Sequence, residues 1–286
     1  MDVRGYEPME DHMALNIATN VPSLNAQRHL SDAQGALGKS YERLSSGLRI
    51  NSASDDAAGL ALADRLRADV QISSQAVRNG NDGISALSIG EQALGKVGDI
   101  LTRLSELASQ SSTGLVSDTQ RSAIQTEFTA LVSEVDRISA TTTFNGVALL
   151  SGGTTVDLQV GLDGTTNSRI SFSTVDGSSS GIGLSGVAVS TAGAAQSALG
   201  AISSAIANVA QQRGTIGAVE SRLNTAISNL QVASENFSSA ESRIRDVDVA
   251  SETANLTRNT ILQQAGVAIL AQANQQPSLA LQLLRG

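Results

Sequence analysis

The chain has 286 residues, with no Cys, no Trp, two His, two Tyr and four Phe, and a formal net charge of -8. Without Cys there can be no disulfide or thiolate nucleophile, and two His cannot build a multi-His zinc site. The acidic charge and the shortage of aromatic rings argue against binding to a nucleic-acid backbone or to unstacked bases. No segment is long and apolar enough to cross a bilayer. We therefore expect neither a nucleic-acid partner nor membrane insertion, and no signal peptide is recognised at the N-terminus.

The first predicted helix follows Pro22, which biases the residues before it away from helix. An apolar stripe with heptad-type spacing then runs to about Ile50, formed by Leu30, Leu37, Leu44 and Leu48. Such a stripe is typical of a helix that packs along a second helix.

A longer helix is predicted from Ala57 to Gln110, with Asp55 or Asp56 as its N-terminal cap. Its core-facing residues include Leu87, Leu94 and Leu101, which recur every seven residues. Five glycines lie between residues 80 and 98 of this helix, and each lowers helix stability by about 1 kcal/mol relative to Ala: Gly80, Gly83, Gly90, Gly95 and Gly98. They indicate close backbone approach, a local break near Asn79-Gly80, or a tolerated weakness.

The third predicted helix has the clearest local signals. Ser117 and Gln120 form the capping-box pattern at its start. The apolar residues that follow alternate in steps of four and three: Ile124, Phe128, Leu131, Val135 and Ile138. Asn145-Gly146 is a turn-forming pair that ends the helical pattern.

Residues 151–190 are dominated by Gly, Ser and Thr. Apolar residues alternate on both sides of Asp163-Gly164, at Val156, Leu158 and Val160 and again at Ile170 and Phe172. This alternation predicts a short β-hairpin.

The helical period returns from Ala194 to Ile244. Its predicted core-facing residues include Ile216, Leu223, Ile227, Leu230 and Phe237. An apolar stripe of this length needs a partner helix of comparable length, and we expect the helix of residues 57–110 to be that partner.

The last amphipathic stretch covers about Val249 to Gln275, and the sequence from Asn259 to Leu284 carries no charge. Its candidate contact residues are Ile261, Leu262, Val267 and Leu270. An uncharged stripe suits burial among copies of the same chain, because no charge must be desolvated. The two ends of the chain therefore predict self-assembly.

Taken together, these elements predict a mainly α protein. Long antiparallel helices form a coiled-coil-like bundle with the N- and C-termini paired, and a small β-hairpin region lies in the middle.

The sequence offers no candidate catalytic, cofactor-binding or metal-binding residues. Asp55-Asp56 is best explained as a helix cap. Asp246 and Asp248 lack the further ligands of a calcium loop, and Gly181-Ile182-Gly183 lacks the rest of a dinucleotide fingerprint. We therefore expect a protein that is not an enzyme and has no cofactor.

Short sequence blocks at both ends of the chain carry a family pattern. They are Asn16–Asn20, Leu44–Ala53 and Asp55–Gly59 near the N-terminus, Thr143–Gly146 in the middle, and Ser242–Ile244 with Asp246, Ile261–Gly266 and Leu270–Gln275 near the C-terminus. In these blocks the chain resembles bacterial flagellin, in a short form with little or no outer variable domain.

The resemblance implies a layout of six segments. Residues 1–12 are an extra N-terminal segment, because flagellins usually begin near Met13-Ala14. Residues 13–56 supply the N-terminal helix of an inner coiled-coil domain and the spoke after it, and 246–286 supply the C-terminal helix of that domain. Residues 57–150 and 191–245 form the helices of a core domain, and 151–190 form a short variable β-hairpin region.

The resemblance also implies partners. The subunit would be exported unfolded through the flagellar type III apparatus and would polymerise into the extracellular filament that drives swimming, with an export chaperone, a cap and hook-associated proteins as partners. The residues matching the family's contact with Toll-like receptor 5 are Arg103, Glu106, Leu107 and Glu127. Because Thr102, Ser105 and Ser109 depart from that pattern, we expect weak recognition.

Three alternatives remain open. A hook–filament junction protein shares similar ends, although the unbroken match at both ends favours flagellin. An enzyme embedded in the middle is disfavoured, since residues 151–190 hold no candidate site. A membrane-active amphipathic helix should have a basic polar face, which the acidic composition contradicts.

Overall fold

The computed structural model describes residues 19–285, and the side chains of residues 19–278. The predicted extra segment 1–12 and the predicted start at Met13 lie outside the described residues. In chain order the helices and strands are α1 (Val21–Ser46), α2 (Ala57–Ser112), α3 (Asp118–Thr141), β1 (Thr143–Phe144), β2 (Val147–Ala148), β3 (Thr155–Gln159), β4 (Arg169–Ser173), α4 (Ala192–Arg245) and α5 (Val249–Arg285). The predicted fold class, mainly α with a small β region, is confirmed.

Three features of the helices differ most from the prediction. Helix α1 begins at Val21 and includes Pro22 in its first turn, where a missing N–H costs nothing. Helix α2 continues through Asn79 and Gly80 without the break that the glycines had suggested. Helix α5 runs past Gln275 and contains Pro277.

Within residues 19–285, the named strands form two antiparallel hairpins. The predicted hairpin is confirmed as β3 paired with β4, with Val156 opposite Phe172 and Leu158 opposite Ile170. A second hairpin, β1 with β2, was not predicted, because Asn145-Gly146 was interpreted only as the end of a helix. In the structure this pair is the two-residue turn, with positive φ at both residues (48° and 79°).

The described chain divides into two compact units. The first contains the residues up to Asp64 and those from Ala240 onward, and the second is Arg65–Ser239. Helices α2 and α4 contribute residues to both units.

The second unit has a continuous apolar core. Helices α2, α3 and α4 and the connections between them bury large side chains there, among them Leu94, Leu101, Leu104, Phe128, Ile182, Leu184, Ile202 and Leu223. Of the core-facing residues named from the sequence, Leu131, Ile138 and Phe237 are half-buried and the others are buried. Burial of this apolar surface is the main favourable contribution to folding.

Polar residues also interrupt the α2–α4 contact, and they have partners. Arg213 on α4 forms an ion pair with Glu91 on α2 at 2.6 Å, and Glu220 accepts a hydrogen bond from the Ser88 hydroxyl at 3.3 Å. Arg213 is exposed, so its charge is solvated as well as paired with Glu91.

Two glycines of α2 mark close approach. A Cβ atom at Gly83 would overlap the Cδ1 atom of Leu158 on β3, and one at Gly80 would lie 2.9 Å from Cγ1 of Ile227 on α4. At Gly95 no atom would lie within 4 Å of an added Cβ. The close approach that the sequence left as one of three interpretations therefore applies to Gly80 and Gly83.

We predict opposite effects of Ala at two of these glycines. Gly83→Ala should lower the free energy of unfolding by up to about 2 kcal/mol, because displacing Leu158 costs about 1–3 kcal/mol and the gain in helix propensity offsets about 1 kcal/mol of it. Gly95→Ala should raise it by about 1 kcal/mol, because only helix propensity changes. Urea unfolding followed by circular dichroism measures both, and equal effects of the two changes would contradict the packing described here.

Candidate functional site

The terminal helices α1 and α5 form an antiparallel pair within the first unit. Near the start of α1, the Asn20 side-chain amide donates to the Ala273 carbonyl at 2.8 Å. Near the end of α1, Arg43 lies 3.7 Å from the Glu252 carboxylate. The start of α1 therefore lies beside the later part of α5, and the end of α1 beside the start of α5.

Small side chains form much of the contact between these two helices. Ser23, Ala26 and Ser40 of α1 and Ala273 of α5 are buried. At Gly266, an added Cβ would lie 3.5 Å from Cδ1 of Leu30. Small residues at a helix contact allow the two axes to approach closely.

The predicted stripe of α1 lies on this contact side. Leu30, Leu37, Leu44 and Leu48 are all half-buried. Leu270 of α5 is half-buried as well. The pairing of α1 with α5 therefore leaves part of each stripe accessible.

The turns that connect these helices to α2 and α4 are held by backbone hydrogen bonds. Gly47 adopts the left-handed conformation (φ 73°) that ends α1, and its carbonyl accepts the Val247 N–H at 3.0 Å. The Arg49 N–H donates to the Arg245 carbonyl at 2.6 Å. These bonds join the segment that follows α1 to the segment that precedes α5.

Asp55 and Asp56 act as capping residues. Asp56 accepts the Gly59 N–H at 2.8 Å and caps α2, whereas Asp55 accepts the N–H groups of Ser52 and Asn51. The hydrogen bond from the Ser52 backbone, followed by that from Asn51, lowers the pKa of the Asp55 carboxyl. The pair is therefore explained structurally, as the sequence indicated.

Helix α5 carries several exposed apolar side chains. Ile261 and Ile269 are each 59% exposed, Val267 is 53% exposed and Leu262 is 52% exposed. At the start of α1, Val21 and Leu24 are each 53% exposed. We call these six residues the terminal apolar face. Val21, Leu24 and Ile269 were not singled out from the sequence, although their apolar character and position beside the predicted stripes could have identified them.

An exposed apolar face without charge is unusual on a chain that acts alone. No charged residue occurs between Arg258 and Arg285. Exposed contiguous apolar surface marks an interaction site more often than a free surface. The terminal apolar face is therefore the candidate site for self-assembly.

The residues that match the receptor-contacting pattern separate into two groups. Arg103 donates to Glu127 at 2.8 Å and to Glu106 at 2.9 Å, and all three side chains are exposed. The hydrogen bond to Glu127 is the main cause that raises the pKa of Arg103. Leu107, by contrast, is 2% exposed and packs into the core.

Within residues 19–285, no group of three or more His, Asp or Glu side chains is placed to hold a metal ion. Among the helices of that same range, none combines the length and the hydropathy that a membrane span requires.

Two family models match the chain. The bacterial flagellin N-terminal helical region matches residues 17–155, and the bacterial flagellin C-terminal helical region matches residues 199–284. The first match covers α1 to the start of β3, and the second covers most of α4 together with α5.

Relatives match over nearly their whole length. The chain is 45% identical to a flagellin of Halalkalibacterium halodurans over 267 residues, which cover 93% of this chain and 98% of the relative. It is 39% identical to a flagellin of Bacillus subtilis, covering 95% of this chain and all of the relative. It is 36% identical to a flagellar filament 33 kDa core protein of Treponema phagedenis, covering 93% of this chain and 98% of the relative.

The family models and the relatives define a class: structural subunits that self-assemble into the extracellular filament of the bacterial flagellum. Within that class, the chain belongs to the flagellin family. The short variable middle agrees with a flagellin of 286 residues that has no large outer domain.

We predict that the size of the side chain at residue 266 controls the pairing of α1 and α5. Gly266→Ala should leave the pair intact, because its Cβ would make an ordinary contact with Leu30. Gly266→Leu should force the helices apart, because the added branch has no space at this close approach. Hydrogen–deuterium exchange of α1 and α5 amides measures this, with faster exchange expected only in the Leu variant.

Proposed function

We propose that this flagellin is exported unfolded through the flagellar type III apparatus and polymerises, through its terminal helices, into the filament that drives swimming. Membership of the family supports the filament role. The proposed assembly mechanism rests on the terminal apolar face, which is exposed in the single chain. Its residues on α5 lie within the uncharged stretch between Arg258 and Arg285.

Burial of this face in the polymer is favourable. Full burial of one Ile, Leu or Val side chain contributes about 1.5–3 kcal/mol relative to exposure. In a helical filament, neighbouring copies meet through different surface patches, so we expect head-to-tail contacts between them. Such contacts generate an open helical polymer when the rotation between subunits does not close.

Passage of an unfolded chain through a narrow export channel agrees with the composition. The chain has no Cys and therefore cannot form disulfide cross-links before export. Before polymerisation, isolated long helices gain little stability in water, so α1 and α5 are held only by their mutual contact. We expect the export chaperone to cover α5, and the cap and the hook-associated proteins to contact the subunit as the filament grows.

A hook–filament junction protein remains the alternative function. Both kinds of protein would have paired terminal helices, but only a filament subunit should polymerise without limit. Electron microscopy of the purified, seeded protein distinguishes them, since long filaments are expected from the filament subunit alone.

We predict that two polar substitutions in the terminal apolar face prevent polymerisation. Ile261 and Leu262 are more than half exposed, so the double variant Ile261→Ser, Leu262→Ser should leave the single chain folded. Each loss of about 1.4 kcal/mol at the interface raises the critical concentration tenfold. We therefore expect the critical concentration, measured by sedimentation of seeded samples, to rise by at least about tenfold.

The matched control is Leu115→Ser. Leu115 is 94% exposed in the turn between α2 and α3, so this control makes one exposed Leu→Ser change at a site outside the terminal helices. This control should polymerise at nearly the normal critical concentration. Normal polymerisation of the Ile261, Leu262 double variant, with an unchanged circular dichroism spectrum, would show that this face is not an assembly contact.

We further propose that Toll-like receptor 5 recognises this chain weakly. The exposed charges of Arg103, Glu106 and Glu127 neutralise one another, and Leu107 is buried, so little free contact surface is offered. Reporter cells carrying the receptor should respond weakly to the purified single chain. Arg103→Ala should reduce that response further because it disrupts the remaining ion-pair network; a response unchanged by Arg103→Ala would exclude a role for this residue.

A further inference from the structure

The chain contains two Asn-Gly pairs in opposite structural settings. Asn79-Gly80 lies inside α2, whereas Asn145-Gly146 forms the exposed turn between β1 and β2. The same dipeptide therefore occurs once inside a long helix and once in a two-residue turn. The reactivity of one Asn can be compared directly with that of the other.

We propose that Asn145 is a site of spontaneous covalent modification, in which water converts its side-chain amide to a carboxylate with loss of ammonia. The backbone nitrogen of Gly146 loses its proton and attacks Cγ of Asn145. The Cγ–N bond of the amide breaks, ammonia leaves, and a five-membered succinimide forms. One water molecule then opens either ring C–N bond and gives aspartate or isoaspartate.

The setting of Asn145 favours this reaction. Both turn residues are exposed, and an added Cβ at Gly146 would meet no atom within 4 Å, so the attacking nitrogen is not obstructed. Ring closure requires the backbone to leave the turn conformation briefly. Strands β1 and β2 have only two residues each, and a hairpin of this size opens at small cost.

The setting of Asn79 opposes the same reaction. Its side-chain amide donates to the Gln159 carbonyl at 3.0 Å, and Gly80 is buried against Ile227. Ring closure there would require the interior of a 56-residue helix to unwind and β3 to separate from it. Such an opening is far less frequent than that of a short hairpin.

Modification at Asn145 should weaken the packing of the β1–β2 hairpin. Asn145 and Asp82 line the same small cavity of about 130 Å³, together with the apolar side chains of Phe144, Val147 and Phe172. A new carboxylate would add a second negative charge to the lining of this cavity, where Asp82 already carries one; both residues are exposed, so the effect is repulsion between like charges. Isoaspartate would also add an atom to the backbone of a turn whose length sets the register of the strands.

The test uses the purified full chain, folded and free of seeds, incubated in mildly alkaline water enriched in heavy oxygen. Peptide mapping by mass spectrometry then measures heavy-oxygen incorporation at residues 79 and 145 separately. We expect incorporation at Asn145 to be at least about tenfold faster than at Asn79, because only the hairpin opens readily. The same chain in denaturant should lose this difference.

Two results would overturn the proposal. One is equal or faster incorporation at Asn79 in the folded chain, and the other is an unmodified Asn145 under conditions that modify it in denaturant. The consequence is tested by Asn145→Asp, which mimics one product and should increase amide exchange in β1 and β2. Asn145→Gly keeps a residue suited to positive φ and cannot be modified, so it should exchange as the unaltered chain does.

Discussion

A long helix in water is stable only when its apolar stripe is buried, and every part of this protein depends on that constraint. Helix α4 has 54 residues, and its stripe within the second unit is buried against α2, α3 and the connections between them. Within the first unit, α1 and α5 bury their contact side against each other. Several apolar side chains of α5 have no such cover within the described chain, and the proposed assembly contact rests on this difference.

The two units bury the apolar surface of their helices with different kinds of residues. In the second unit, large side chains such as Leu94 and Phe128 fill the core, and glycines on α2 admit β3 and α4 at close range. In the first unit, Ser23, Ala26 and Gly266 let two helices approach without a wide core. A narrow contact leaves most of each helix accessible, which suits a subunit that completes its packing with copies of itself.

The sequence predicted the helices well because their signals are local. The capping box of Ser117 and Gln120 forms as predicted, and α3 follows it. The sequence did not predict the β1–β2 hairpin, because strands of two residues have no periodicity to detect. Asn145-Gly146 alone is consistent with either a helix end or a hairpin turn. The role of Gly83 could not be assigned either, since its close neighbour Leu158 is distant along the chain.

Composition and periodicity by themselves determined that this protein is mainly helical, has no thiol chemistry and carries apolar stripes at both ends, because these properties depend on residue type and local spacing. The family blocks in the sequence determined the resemblance to flagellin. Only the tertiary structure decided which apolar residues of each terminal helix are covered. Leu30 and Leu270 are half-buried, whereas Ile261 and Ile269 are exposed. It also placed Leu107 in the core and Arg103 on the surface. The physical reason is that burial depends on which distant segments meet, and the spacing of residues along one helix does not specify its partner.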